Sequence, residues 1–218
     1  AHWPAPVEAL RKLLPKALEP DTYDGQAWIS IVPFTMSGVR LRGSPALPWL
    51  SCFPELNVRT YVTAGGKPVV WFFSLDAANL VAVEIARRWF HLPYFRSRMN
   101  SRVRAEGVTY SSFRIDRRRT NEKLEATYSA HGPSFLCQSG TLEYFLTERY
   151  CLYAEKPEGT LLRGEIHHAP WSLQRAQASF VTNTMTAKLG IDTSAPPHLL
   201  HFSKLQDVIV WPPRKLGS

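Results

Sequence analysis

The chain has 218 residues, 44% of them apolar and 12% aromatic, and carries a formal charge of +8. That composition supports a packed core and excludes a disordered chain, and no apolar run approaches the roughly 20 residues that span a bilayer. Three cysteines, Cys52, Cys137 and Cys151, lack CxxC spacing, which excludes a disulfide framework or a cysteine-based zinc site and points to a reducing, cytoplasmic setting.

No repeat, low-complexity tract or Gly/Ser linker interrupts the sequence, so residues 1–218 are expected to form a single domain. "PAPVEALRKLLP" places Val7, Leu10, Leu13 and Leu14 at helical spacing between prolines and predicts a short amphipathic helix. "SLDAANLVAVEIARRWFHLP" predicts a stronger one, with Asp76 as N-cap, Leu80, Val83, Trp89 and Phe90 as the apolar stripe, and Pro93 as the stop. A third is expected over "WSLQRAQASFVTNTMTAKLG", with Leu173, Ala176 and Phe180 on one face and Gly190 at its end.

Strand-like runs fill the intervals, among them "AWISIVPFTM", "ELNVRTYVT", "PVVWFFSL", "YFRSRMNSRVR", "VTYSSFR", "KLEATYSA" and "FLTERYCLYA". Their short spacing and Gly, Pro and Asn boundaries argue for antiparallel pairing rather than βαβ units. A strongly twisted sheet of that many strands tends to close or split. The expected fold is therefore α+β and predominantly β: a closed or nearly closed antiparallel β-barrel with about three flanking helices.

In "FPELNVRTYV", residues 53–62, strand alternation sets Glu55, Asn57, Arg59 and Tyr61 on one side and Leu56, Val58, Thr60 and Val62 on the other. Such a polar stripe either faces solvent or lines a lumen. "PYFRSRMNSRV" repeats the arrangement, with Tyr94, Arg96, Arg98, Asn100 and Arg102 on one side.

Together with "FFSLDA", "ARRWFHLPYFRSRM", "FLTERY", "HHAPW" and "HFSKLQDVIVWPP", these stretches resemble the uncharacterised YqjF-like family of the acetoacetate-decarboxylase-like superfamily, over nearly the whole chain. The resemblance implies a barrel-like β fold with flanking helices and a central pocket, but no particular reaction. The superfamily's enzymes decarboxylate a β-keto acid through a lysine Schiff base, using two consecutive lysines after a helix and a proline. If Pro93 matches that proline, Tyr94 and Phe95 stand where the lysine pair belongs. The eight lysines of this chain include no adjacent pair, so that reaction is not expected. Glu55 is the match to one of the superfamily's glutamates.

The residues suggest roles of their own. Glu55 and Arg59 form either a structural ion pair or a base and a carboxylate anchor. Tyr94 is a candidate acid, or simply a packed ring. Arg96, Glu148, Arg149 and Trp171 are candidate ligand-binding groups alongside Asn57 and Arg59. The adjacent His167 and His168 point apart on a strand, so no metal site is expected, and His168 alone is a candidate acid or base beside Glu55. No cofactor is expected either, since P-loop, GxGxxG, GxSxG and HExxH motifs are all missing.

The charge raises nucleic acid as a partner, but the densest basic run, "RIDRRR" at 114–119, is expected to be a solvated hairpin tip without aromatic interleaving. Nucleic acid is accordingly not an expected partner. The expected partner is a small, anionic or carbonyl-bearing molecule, either turned over by acid/base chemistry without a Schiff base or simply sensed or carried.

Overall fold

The computed structural model describes residues 1–38 and 52–215. It begins with β1 (His2–Ala5), α1 (Val7–Leu13), β2 (Glu19–Pro20), β3 (Thr22–Tyr23), β4 (Gln26–Ser37), β5 (Cys52–Ala64) and β6 (Lys67–Ala77). After α2 (Leu80–Phe90) come β7 (Tyr94–Arg104), β8 (Gly107–Arg114), β9 (Lys123–Leu136) and α3 (Leu142–Thr147). The remaining elements are β10 (Cys151–Glu155), β11 (Leu161–His168), β12 (Ser172–Asn183), a 3-10 turn at Ala187–Leu189, β13 (His201–Phe202), β14 (Val208–Val210) and β15 (Arg214–Lys215).

One large sheet runs in the order β1-β4-β5-β6-β7-β8-β9-β12-β13. It is not closed into a barrel. Its terminal strands do not pair with each other; beside them His2 and Leu199 form a single isolated bridge, with the His2 N–H donating to the Leu199 carbonyl at 3.0 Å. Nor is pairing wholly antiparallel, because β6 and β7 run parallel across α2 and β10 lies parallel to β6. The sequence marks the helix of this βαβ unit but not the direction of its strands, which look like their antiparallel neighbours.

The helices differ from expectation in two places. Residues 172–183 form β12, paired with β9 along most of its length. The Leu, Gln, Arg and Ala of this segment favour a helix, but a long cross-strand ladder overrides so weak a preference. The third helix is instead α3, inside "TLEYFLTERY", with the Thr141 side chain accepting from the Tyr144 N–H. In α2 the cap is Asn79, whose Oδ1 accepts from the Ala82 N–H at 3.1 Å, while Asp76 lies in β6. Val83 is the buried position of that helix, whereas Leu80 and Trp89 are 45% and 58% exposed and do not belong to a core stripe.

The sheet is buried on both faces at its centre. Leu56 and Val58 join Trp3, Ile29, Ile31 and Tyr110 in one core cluster, and Tyr61 joins Trp28, Phe72, Leu75 and Leu146 in another. Nor is "RIDRRR" a free solvated tip. The Arg114 guanidinium is fully buried, its Nε donating to Asp76 Oδ1 at 2.6 Å and its Nη2 to Asp76 Oδ2, with Glu122 Oε1 3.1 Å from Nη1. Ser97 Oγ donates to the same Asp76 Oδ1, and the guanidinium lies 4.4 Å over the Phe95 ring. A run that looks solvated in sequence thus contains the cation that binds β6, β7 and β8 together.

Candidate functional site

Register decides which side chains share the inner face with Glu55. β4 pairs Phe34 with Glu55, Val32 with Asn57 and Ser30 with Arg59, while β1 pairs His2 with Ser30. On the other side β6 sets Ala77 opposite Glu55, Leu75 opposite Asn57 and Phe72 opposite Arg59, and β7 sets Tyr94 opposite Leu75. Partners across a ladder project from the same face. Glu55, Asn57, Arg59, Tyr61, Tyr94, Ser30 and His2 therefore form a polar band on one face of five strands, bordered by the Trp28, Phe72, Leu75 and Leu146 cluster.

At one end of the band Glu55 is 3% exposed and accepts from the Tyr94 hydroxyl at 3.0 Å through Oε1. Tyr110 reaches the same residue from the opposite face, donating to its backbone carbonyl at 2.6 Å. Burial pushes the Glu55 carboxyl up to about 8, the Tyr94 hydrogen bond opposing the shift and the Asp76 charge adding to it. Burial, together with the neighbouring Glu55, raises the Tyr94 phenol well above its ordinary value. At neutral pH Glu55 is thus mostly a neutral acid. This reverses its expected role as a base.

In the middle of the band, Asn57 Oδ1 and Arg59 Nε are buried with no partner among the described residues, while Arg59 Nη2 donates to the Leu146 carbonyl of α3 at 3.2 Å. Arg59 makes no ion pair with Glu55 among the described residues. At the other end, Ser30 Oγ shares hydrogen bonds of 2.7 Å with both His2 Nδ1 and the Tyr61 hydroxyl. The His201 ring lies 5.4 Å from that of His2, and its Nδ1 also has no partner among the described residues. Burial, foremost, holds His2 well below the ordinary imidazole value and His201 at about 4, so both stay neutral across the physiological range.

The sequence places Tyr61 in the polar stripe of β5, but does not by itself bring His2 and Ser30 to it. The available signal was Ser30 in the run "AWISIVPFTM", a hydroxyl flanked on both sides by residues that favour burial.

The other candidates lie elsewhere. Arg96 is exposed and held through its backbone, the N–H donating to Asp116 Oδ2 at 2.9 Å and the carbonyl accepting from the Ile115 N–H at 3.0 Å. Glu148 is at the end of α3, accepting from the Trp171 N–H at 2.9 Å and from the Tyr150 hydroxyl. His168 stacks on Tyr150 at 4.5 Å and meets Trp171 edge-on at 5.6 Å, with backbone carbonyls of Ala169 and Arg149 facing its two ring nitrogens. None of its described contacts is with Glu55 or Tyr94. Arg149 donates to Asp21 Oδ2 at 2.6 Å and lies 5.3 Å over the Tyr61 ring, so it touches the band at its Tyr61 end. There a surface cavity of about 340 Å³ is lined by Asp21, Tyr23, Thr63, Phe145, Glu148 and Arg149. Among the described residues, no group of three His, Cys, Asp or Glu side chains is placed to hold a metal, and no helix is long and apolar enough to cross a membrane.

Residues 1–207 match the model of the DUF2071 family, described as an uncharacterized conserved protein. The chain belongs to this family. This DUF2071 chain is 46% identical to the uncharacterized protein YqjF of Bacillus subtilis (strain 168), over 99% of its own length and 88% of that protein. Its fold is that of the acetoacetate-decarboxylase-like proteins. It matches an acetoacetate decarboxylase from Legionella pneumophila with a TM-score of 0.64 at 10% identity, over 99% of this chain and 82% of that one. It also matches the enduracididine biosynthesis enzyme MppR, in complex with pyruvate, with a TM-score of 0.63 at 16% identity, over 98% and 85% of the two chains.

Proposed function

We propose that this DUF2071 protein binds a small anionic or carbonyl-bearing molecule on the inner face of its sheet, and that Glu55 acts there as a proton donor. The observation that carries this reading is the buried Arg59 Nε and Asn57 Oδ1, without a partner among the described residues, lying on the same face as a carboxyl held at about 8. Leaving such atoms unpaired costs about 1–3 kcal/mol each, and a ligand that pairs with them recovers that cost. Arg59 anchors a carboxylate, Asn57 accepts from a hydroxyl or amine, and Glu55 delivers a proton to a carbonyl oxygen or the carbon beside it. Tyr94 is a positioning residue, since its proton is directed at Glu55. The fold match to a protein complexed with pyruvate supports a short keto acid as the ligand class.

A Schiff-base route is not part of this proposal. None of the eight lysines is buried, and a lysine amine in water stays protonated at neutral pH. That same observation favours a second reading, binding without turnover, in which Arg59 is needed and the Glu55 proton is not.

A thermal-shift panel of pyruvate, acetoacetate and longer keto acids tests both readings. A ligand of the native state adds about 2.7 kcal/mol at a hundredfold excess over its Kd. The expected result is a shift in the wild-type protein that Arg59→Ala removes and Arg59→Lys partly restores. Equal shifts in wild type and Arg59→Ala would sink the proposal. Glu55→Gln then divides the readings: retained binding with lost turnover identifies the enzyme, and no turnover in any form identifies the carrier.

A further inference from the structure

β7 leaves the covered part of the sheet after Tyr94 and continues to Arg104, with Arg96, Arg98, Asn100, Arg102 and Arg104 all exposed. No register shift interrupts its pairing with β8, so these five side chains project from one face. At about 3.3 Å per residue the row is about 26 Å long, with a new side chain about every 6.6 Å. None of its four arginines makes an ion pair among the described residues, unlike Arg114, Arg118 and Arg119 of the "RIDRRR" run. A continuous row of arginines without an ion pair therefore lies on β7, with exposed Arg117 of that run a further unpaired charge among the described residues.

The neighbouring strands extend the same face with hydrogen-bonding groups. Arg102 pairs with Thr109, Thr109 with Thr127 and Thr127 with Ser179, all four exposed. Arg98 pairs with Phe113 and Phe113 with Lys123, whose ammonium lies 5.0 Å over the ring. Glu125 is the carboxylate in these rows.

We infer that the exposed face of β7, β8, β9 and β12 is a docking surface for single-stranded nucleic acid, its phosphodiester backbone running along the arginine row. Linear charge argues for a linear polyanion, and arginine forks match phosphate oxygens. Threonine, serine and asparagine flank the row as partners for phosphate and sugar oxygens, as in backbone-directed binding. The large side chain within the rows, Phe113, lies beneath Lys123, and the exposed apolar group beside them is Val181 of β12, a single short aliphatic side chain rather than the Trp, Phe and Leu face that inserts into a lipid surface. It also lacks a stacking platform, so the binding is electrostatic and indifferent to base sequence.

Titration of a fluorescent 12-mer of single-stranded DNA between 50 and 200 mM salt tests this. Four phosphates give a slope of about −2.8 in log K against log salt, a loss of about fiftyfold across that range. Arg98→Gln with Arg102→Gln, both on an exposed face, is expected to halve the slope and leave the melting temperature unchanged. An unchanged slope in that double variant would overturn the inference. So would the absence of binding at 50 mM salt, or tighter binding to vesicles rich in anionic lipid than to the oligonucleotide, which would make the face a membrane contact.

Discussion

Asp76→Ala is expected to lower the unfolding free energy by about 3–5 kcal/mol, read as a reduced urea midpoint at unchanged slope. Asp76 and Arg114 are both fully buried, and Asp76 receives both guanidinium bonds and the Ser97 hydroxyl. Removing the carboxylate leaves a buried cation with Glu122 as its remaining counter-charge, and Glu122 is shared with Arg119 and Lys188. The cost comes from the stranded charge more than from the lost attraction, because desolvating two ions offsets most of what their pairing contributes. Asp76→Ala combined with Arg114→Met should therefore lose less than the sum of the two single changes. Strict additivity in that cycle would mean that the two groups act independently.

Glu55→Gln is expected to make the protein more stable at pH 8 and to leave it nearly unchanged at pH 4. The carboxyl titrates near 4.5 in an unfolded chain and at about 8 in the native one. Between those values the native state holds a proton that the unfolded chain has released, so stability falls as pH rises through the window. By pH 7 the effect is about 3 kcal/mol for this group alone, at 1.36 kcal/mol per unit. Glutamine is neutral throughout, and its Oε1 still accepts from Tyr94. Urea unfolding at pH 4, 5, 6, 7 and 8 should give wild-type and Glu55→Gln curves that coincide at low pH and diverge above 5. Parallel curves across that range would place the Glu55 pKa near its ordinary value and remove the basis for calling it a neutral acid.

The polar band was legible in sequence where alternation is strict. β5 reads Glu-x-Asn-x-Arg-x-Tyr, and a period of two needs no knowledge of the rest of the fold. The Glu55–Tyr94 contact was within reach through the family resemblance, because two candidates 39 positions apart meet once β6 and β7 pair in parallel. His168 and Glu148 were not, since a local pattern gives residue types but not which end of a sheet they reach. β12 was misread for a different reason: "LQRAQASF" satisfies a helical stripe, and only the length of its ladder with β9 decides otherwise. Arg114 shows the same limit. Its partner Asp76 is 38 positions away, so charge density along the chain says nothing about which arginine is inside.

The strand β6 has partners from three parts of the chain. It pairs with β5 before it, with β7 across α2, and with β10 at Leu152 and Tyr153, roughly 80 residues after Val70 and Trp71. During synthesis at about 5–20 residues per second, Val70 and Trp71 wait about 4–16 s for these partners to be made. Through that interval a segment reading "PVVWFFSL" has an open edge and no charged residue. The hazard is thus one of timing: slowing elongation between residues 71 and 153 should raise the aggregated fraction of newly made chains, although the finished protein would be identical.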